Sequence, residues 1–138
     1  MIKVTCQRAI YLPRIDYFYR MSLVDFSVIM DDLEMGRGSV ENKGYILSQE
    51  GKSKFSVPVI NSNRRLVRDV KVVNSTNWRG HHMELLSKAY SEHPYYDEVE
   101  AWLFPIYSGK QRYLMDLNLD IIRGVLGQFV AVECSIGD

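Results

Sequence analysis

Residues 26–32, FSVIMDD, run apolar and then stop at two adjacent carboxylates, Asp31 and Asp32. The loop that follows carries Gly36 and Gly38 and leads to Asn42 and Lys43. Open α/β sheets hold their ligands beyond the carboxyl ends of parallel strands. An acid at that place can orient a substrate or a catalytic base. Successive strand residues point to opposite faces, so only one of the two acids can readily face a given ligand, which argues against a twinned acid/base pair. The plainer alternative is a strand ending in solvent-facing acids that cap its loop.

His82 offers a different chemistry. In NWRGHHMELLSKAY it repeats with Trp78, Leu85, Leu86, Ala89 and Tyr90 at spacings of three and four, while His81 is turned about 100° away. An imidazole that titrates near neutrality can take a proton from a nucleophile or contact a phosphate. On an apolar stripe it can equally be a core side chain bonded to a backbone carbonyl. Asn118 interrupts another apolar stripe, Leu114, Leu117, Ile121, Ile122 and Val125, and must find partners if buried. It is either a structural bridge or a ligand contact. Tyr11, Tyr17, Phe18 and Tyr19 cluster around Pro13. Such rings fill cores, or line sugar and nucleotide pockets where their hydroxyls find outlets.

Phosphate loops, zinc-spaced ligands and nucleophile elbows are all missing, so the sequence assigns no metal and names no cofactor. Cys6 and Cys134, at opposite ends of the chain, read as buried thiols in strands. The N-terminus, MIKVTCQRAIYLPR, is interrupted by Lys3, Arg8 and Arg14, unlike a secretory leader. No stretch is apolar enough to span a bilayer. A cytoplasmic location with no membrane partner is the resulting expectation.

The elements that must position these groups form an α/β, mixed α+β pattern in one domain of 138 residues. A strand at Ile2 to Cys6, a helix from about Ile15 to Leu23 and a strand from Asp25 to Met30 make a parallel βαβ start. The helix would turn Ile15, Phe18, Tyr19 and Leu23 to one side. The second strand reads as an interior strand covered on both faces. An inserted hairpin follows, GYILSQ and SKFSVPVI around EGK, with Gly51 in the turn. VRDVKVV, residues 67–73, alternates like a further strand. The second half is helical: Asn77 caps the first helix, His93-Pro94 stops it, and Pro105 should bend or end the next one early. Residues 129–135, FVAVECS, read as a closing strand.

Net charge is zero, yet residues 1–80 hold 13 Lys+Arg against 8 Asp+Glu, and residues 81–138 hold 4 against 9. The halves, at +5 and −5, can attract each other or give one basic face suited to a phosphorylated ligand. The neutral balance and the lack of a basic-aromatic motif argue against nucleic acid without excluding it.

Taken in order, these stretches resemble the WbqC-like family of bacterial proteins. The likeness rests on Tyr11, Leu12, Pro13, Tyr17 and Phe18, then Asp31-Asp32 with Ser39, Asn42 and Ile46. It continues through Val57-Pro58-Val59, then Trp78, His82 and Tyr90 on one helix, Pro94-Tyr95, and Leu117-Asn118 with Ile121-Ile122. It spans about residues 7 to 123. The resemblance implies surface-polysaccharide biosynthesis and transfer of an acyl or aminoacyl group to an amine on a sugar-like or nucleotide-linked acceptor. By that analogy His82 takes the proton, Asp31 or Asp32 orients it or the acceptor, and Asn42 with Lys43 contacts a carbonyl or phosphate. Gln7, Tyr11 and Asn118 would border the site.

A second expectation belongs to a different class. Where the family has Gln, Arg and Trp after the aspartates, this chain has Glu34, Gly38 and Val40, and family members commonly carry a further glycine-rich portion. Those departures fit a catalytically inactive binding or assembly subunit, working with a protein partner or as a homo-oligomer.

Overall fold

The computed structural model describes residues 1–36, 38–60 and 62–128. The expected closing strand at 129–135 and Cys134 lie outside the described residues. Strand β1 (Val4–Arg8), helix α1 (Ile15–Ser22) and strand β2 (Phe26–Met30) open the chain, and β1 pairs β2 in parallel with Val4 opposite Phe26. The βαβ start is therefore as expected. Strands β3 (Lys43–Ser48) and β4 (Gly51–Ser56) form an antiparallel hairpin. Its two-residue turn, Gln49-Glu50, leads into Gly51 at φ +105°, a conformation that favours glycine. Strand β5 (Val59–Ile60) pairs β6 (Lys71–Val72), so the described residues hold three separate two-stranded sheets.

Helices α2 (Trp78–Tyr90), α3 (Tyr96–Tyr107) and α4 (Leu114–Leu126) make the second half. Asn77 caps α2, its Oδ1 accepting from the Gly80 N–H. Helix α4 carries the densest buried face, with Leu114, Leu117, Asn118, Ile121 and Ile122 at 0% exposure. These are the spacings of an amphipathic helix turned to the core. The other core walls come from Tyr11, Val57, Val67, Val70 and Tyr107.

Four expectations are corrected. Residues 67–73 form no continuous strand: Val67–Asp69 make a 3-10 turn, which swings both Val67 and Val70 into the core. Pro105 does not end α3 early: the helix runs two residues past it to Tyr107, although residue 105 has no N–H to give the Ala101 carbonyl. Cys6 is exposed. The β1–β2 pair is not covered on both faces. Val4, Cys6, Phe26 and Val28 point outward, whereas the inner face carries Thr5, Gln7, Ser27 and Ile29. Along α1, Tyr17 is the buried residue, and Ile15, Tyr19 and Leu23 are exposed.

Candidate functional site

The long aromatic helix α2 carries His82 into the core at 3% exposure, between Trp78 and Leu86 on the same face. The Tyr11 hydroxyl lies 2.9 Å from its Nδ1. Tyr11 is also hydrogen-bonded to Tyr107, hydroxyl to hydroxyl. Phe55 and Trp78 close the cage, with ring centroids 4.6 Å and 5.1 Å from the imidazole in edge-to-face arrangements. Gly44 makes this packing possible: a methyl there would stand 3.1 Å from the Phe55 ring and 3.3 Å from that of Tyr11.

Burial holds His82 neutral, lowering its pKa to about 4, although hydrogen bonding to the Ser56 backbone acts in the opposite sense. A neutral imidazole has one N–H. With that N–H given to Ser56, Nδ1 is the acceptor and the chain runs Tyr107 to Tyr11 to His82. Burial, followed by the neighbouring Tyr107, pushes the Tyr11 phenol well above its usual range. Burial likewise raises Tyr107. Arg79 opposes both shifts. Its guanidinium lies 4.6 Å over Trp78 and donates to Gln111 Oε1 at 2.7 Å. Burial lowers the arginine's own pKa.

A second polar group sits beside this cage. Asn118 is fully buried and its Nδ2 donates to the carbonyls of Ala9 and Glu41, at 3.0 Å and 2.8 Å. The Glu41 carbonyl also accepts from the Tyr11 N–H. The Glu41 carboxylate is 1% exposed and takes Arg8 on one oxygen at 2.8 Å. Among the described residues its other oxygen, Asn118 Oδ1 and Gln7 Nε2 have no hydrogen-bond partner.

The predicted site residues thus separate into two sets. Tyr11 and His82 touch, and Asn118 is tied to Tyr11 through Glu41. Asn42 stands next to Glu41 and donates to the Val57 carbonyl at 3.1 Å. Lys43 begins β3 opposite Ser56. Gln7, on the inner face of β1, is held by α1, its Oε1 accepting from Arg20 at 3.2 Å. Asp31 turns to Arg68, with 3.7 Å between carboxylate and guanidinium, and Asp32 is exposed. The side chain hydrogen-bonded to His82 is Tyr11, in the place expected for an aspartate. The acids instead lead into a loop whose Leu33 and Met35 bond residues 64–67.

Sequence reading missed Glu41, Phe55, Arg79 and Tyr107. Glu41 carried no signal, since a lone acid in a polar loop looks like any surface glutamate. Tyr107 is marked in the sequence only by its place at the end of an apolar repeat, Val99, Trp102, Leu103 and Ile106, at spacings of three and four. Among the described residues no group of His, Cys, Asp and Glu could hold a metal ion. No helix among them is long and apolar enough to cross a membrane.

Comparison with known proteins agrees with the residue pattern. A sequence profile described as the WbqC-like protein family matches residues 8–136. An uncharacterized protein of Mycobacterium tuberculosis (strain ATCC 25618 / H37Rv), Rv1507c, is 29% identical over 119 residues, 85% of this chain. The chain spans about half the length of that relative, 51%. No solved structure matches.

Proposed function

This chain belongs to the WbqC-like protein family, and on that premise we propose that it works as an assembly subunit in surface-glycan biosynthesis. One observation carries this reading, the outward apolar face of β1–β2. Parallel strands are normally covered on both sides, because both faces are apolar. Here Val4, Phe26 and Val28 are 54%, 61% and 48% exposed on the outer side of a two-stranded parallel sheet. Burying a side chain of this size is worth about 1.5–3 kcal/mol. A face built this way is an interaction surface. Its partner is a second copy of the chain.

Light scattering on the purified chain tests it. A mass of at least twice 16.0 kDa is expected, falling to the single-chain value in Val28→Lys with unchanged circular dichroism. A wild-type monomer at about 100 μM, a concentration at which a dimer of about micromolar Kd would be largely assembled, overturns the self-association.

A second reading retains transfer of an acyl or aminoacyl group to an amine on a sugar or nucleotide-linked acceptor. The hydrogen-bonded chain from Tyr107 through Tyr11 to a neutral imidazole favours it. His82 Nδ1 would receive the proton of the attacking amine once Tyr11 turned away from it. Asn42, Lys43 and Asn118 would border the acceptor, while Gln7, Asp31 and Asp32 stand apart with Arg20, Arg68 and the 64–67 segment. Loss of turnover in His82→Asn, with the fold intact, would support this reading over the first.

A further inference from the structure

Helices α2 and α3 meet around a hollow of about 280 Å³ that is separate from both the His82 cage and the β1–β2 face. Its walls combine the rings of Tyr90, Tyr95, Tyr96 and Phe104 with aliphatic side chains such as Leu86 and Leu103, and His93 stands at one side. The hydroxyls of the two tyrosines nearest α2 are engaged elsewhere. Tyr90 accepts from the Leu47 N–H at 2.9 Å, and Tyr96 bonds Ser87 Oγ at 2.8 Å. Those bonds fix the two rings, so the hollow is bordered by aromatic surface with few polar atoms. Tyr95 stands 71% exposed at the rim.

One charged side chain enters the wall, Glu100, and it has no ion pair among the described residues. The surrounding sequence has the same sign. Residues 89–109 contain Glu92, Asp97, Glu98 and Glu100 and no Lys or Arg. Among the described residues none of these four acids has an ion pair, and Glu100, the one that lines the hollow, sets a negative charge beside a low-dielectric recess. An aromatic ring adds the negative side of its quadrupole, which attracts a cation.

A bare metal ion does not suit these walls, because hard cations need several oxygen ligands and this hollow offers one carboxylate. An uncharged apolar ligand would use the rings and leave the acidic surroundings unexplained. The group that uses both is a cation with a hydrocarbon surface. We propose that the hollow between α2 and α3 binds an organic ammonium group, quaternary or methylated, on a small molecule. The volume lies just under the usual range for ligand pockets, about 300–1,000 Å³, which limits the buried part to a head group. The assembly reading is not needed for this site, since none of its residues lies on β1 or β2.

Titration calorimetry with choline and with 3,3-dimethylbutan-1-ol, its uncharged carbon isostere, tests the proposal on the full chain. Choline is expected to bind about tenfold more tightly than the isostere, as a cation–π contact requires. Glu100→Gln and Tyr95→Ala should each weaken choline about three- to tenfold while thermal unfolding stays in place, because Tyr95 is largely exposed and Glu100 is unpaired. Equal binding of choline and its isostere overturns the proposal and marks an apolar site. Absence of choline binding at about 50 mM overturns it too, as does choline binding that both variants leave unchanged.

Discussion

The Tyr11 hydroxyl stands 2.9 Å from Nδ1 of His82, joining the first loop of the chain to the middle helix across 71 positions. Tyr107 extends the same chain from the end of α3. Three distant segments are therefore fixed by two hydrogen bonds inside an aromatic cage. Buried polar networks are costly when half satisfied, since each orphaned group keeps its desolvation penalty.

Tyr11→Phe preserves the ring but leaves His82 Nδ1 without its donor. A loss of about 1–3 kcal/mol in urea unfolding is expected. Tyr107→Phe leaves the Tyr11 to His82 bond in place and should cost about 1 kcal/mol or less. Equal losses in the two variants would contradict the direction assigned to the chain.

His82 also sets a pH dependence. Its folded pKa is about 4 against 6.5 unfolded, so between those values the unfolded chain binds the extra proton. Stability from this residue is present in full above about pH 6.5 and is lost as pH falls toward 4. The loss should be on the order of 2 kcal/mol. His82→Asn keeps an oxygen near the Nδ1 position to accept from Tyr11 and cannot titrate there. Its unfolding free energy should fall less steeply over that interval. Parallel slopes for the two proteins would refute the linkage.

Asn118 bridges α4 to the carbonyls of Ala9 and Glu41, and both bonds come from one amide nitrogen. Asn118→Ala takes the side-chain donor from the Ala9 carbonyl, while the Glu41 carbonyl keeps the Tyr11 N–H, and about 1–3 kcal/mol should be lost. Asn118→Asp should be worse at pH 7, because a carboxylate oxygen would face two carbonyl oxygens. Lowering the pH protonates that acid and restores one donor, so the gap between the two variants should narrow below about pH 5. Unfolding curves at two pH values check this.

Much of this arrangement can be read from the residues. The three-and-four spacing of Trp78, His82 and Leu86 predicts the buried face of α2, and Asn77 its cap. The same periodicity makes Asn118 a buried polar residue. The parallel βαβ start also follows from local pattern. What escapes is of two kinds. Glu41, Phe55 and Arg79 converge only through tertiary packing, and no local period singles them out. The exposure of β1–β2 escapes because apolar strands look alike whether their cover is in the same chain or another. Asp31 and Asp32 stand at the carboxyl end of β2 as read, but Arg68 and the 64–67 segment occupy the space where a crevice was expected.

Arg8 and Glu41 carry an asymmetric ion pair. The arginine side chain is 46% exposed and the carboxylate 1%. Removing the cation strands a buried charge, whereas neutralising the acid does not. Arg8→Ala should therefore destabilise by about 2–4 kcal/mol at pH 7, and Glu41→Gln by about 1 kcal/mol or less. The double variant should resemble Glu41→Gln alone. A double-mutant cycle by chemical unfolding measures the coupling, and simple additivity would remove the pair from the account.

Gly124 lets α3 and α4 approach at Trp102. A methyl group there would stand 2.6 Å from two atoms of the Trp102 ring, closer than a side-chain carbon tolerates. Helix propensity alone favours Gly124→Ala by about 1 kcal/mol. Overpacking typically costs about 1–3 kcal/mol, and the half-buried ring must shift against core neighbours. A net loss of about 1–2 kcal/mol is expected, since the clash exceeds the propensity gain. Replacing the ring by a smaller side chain separates the two effects. Trp102→Leu should remove the clash, so adding Gly124→Ala to it should be neutral or stabilising. If Gly124→Ala stabilises the wild-type chain as well, the helices are not held apart by this contact.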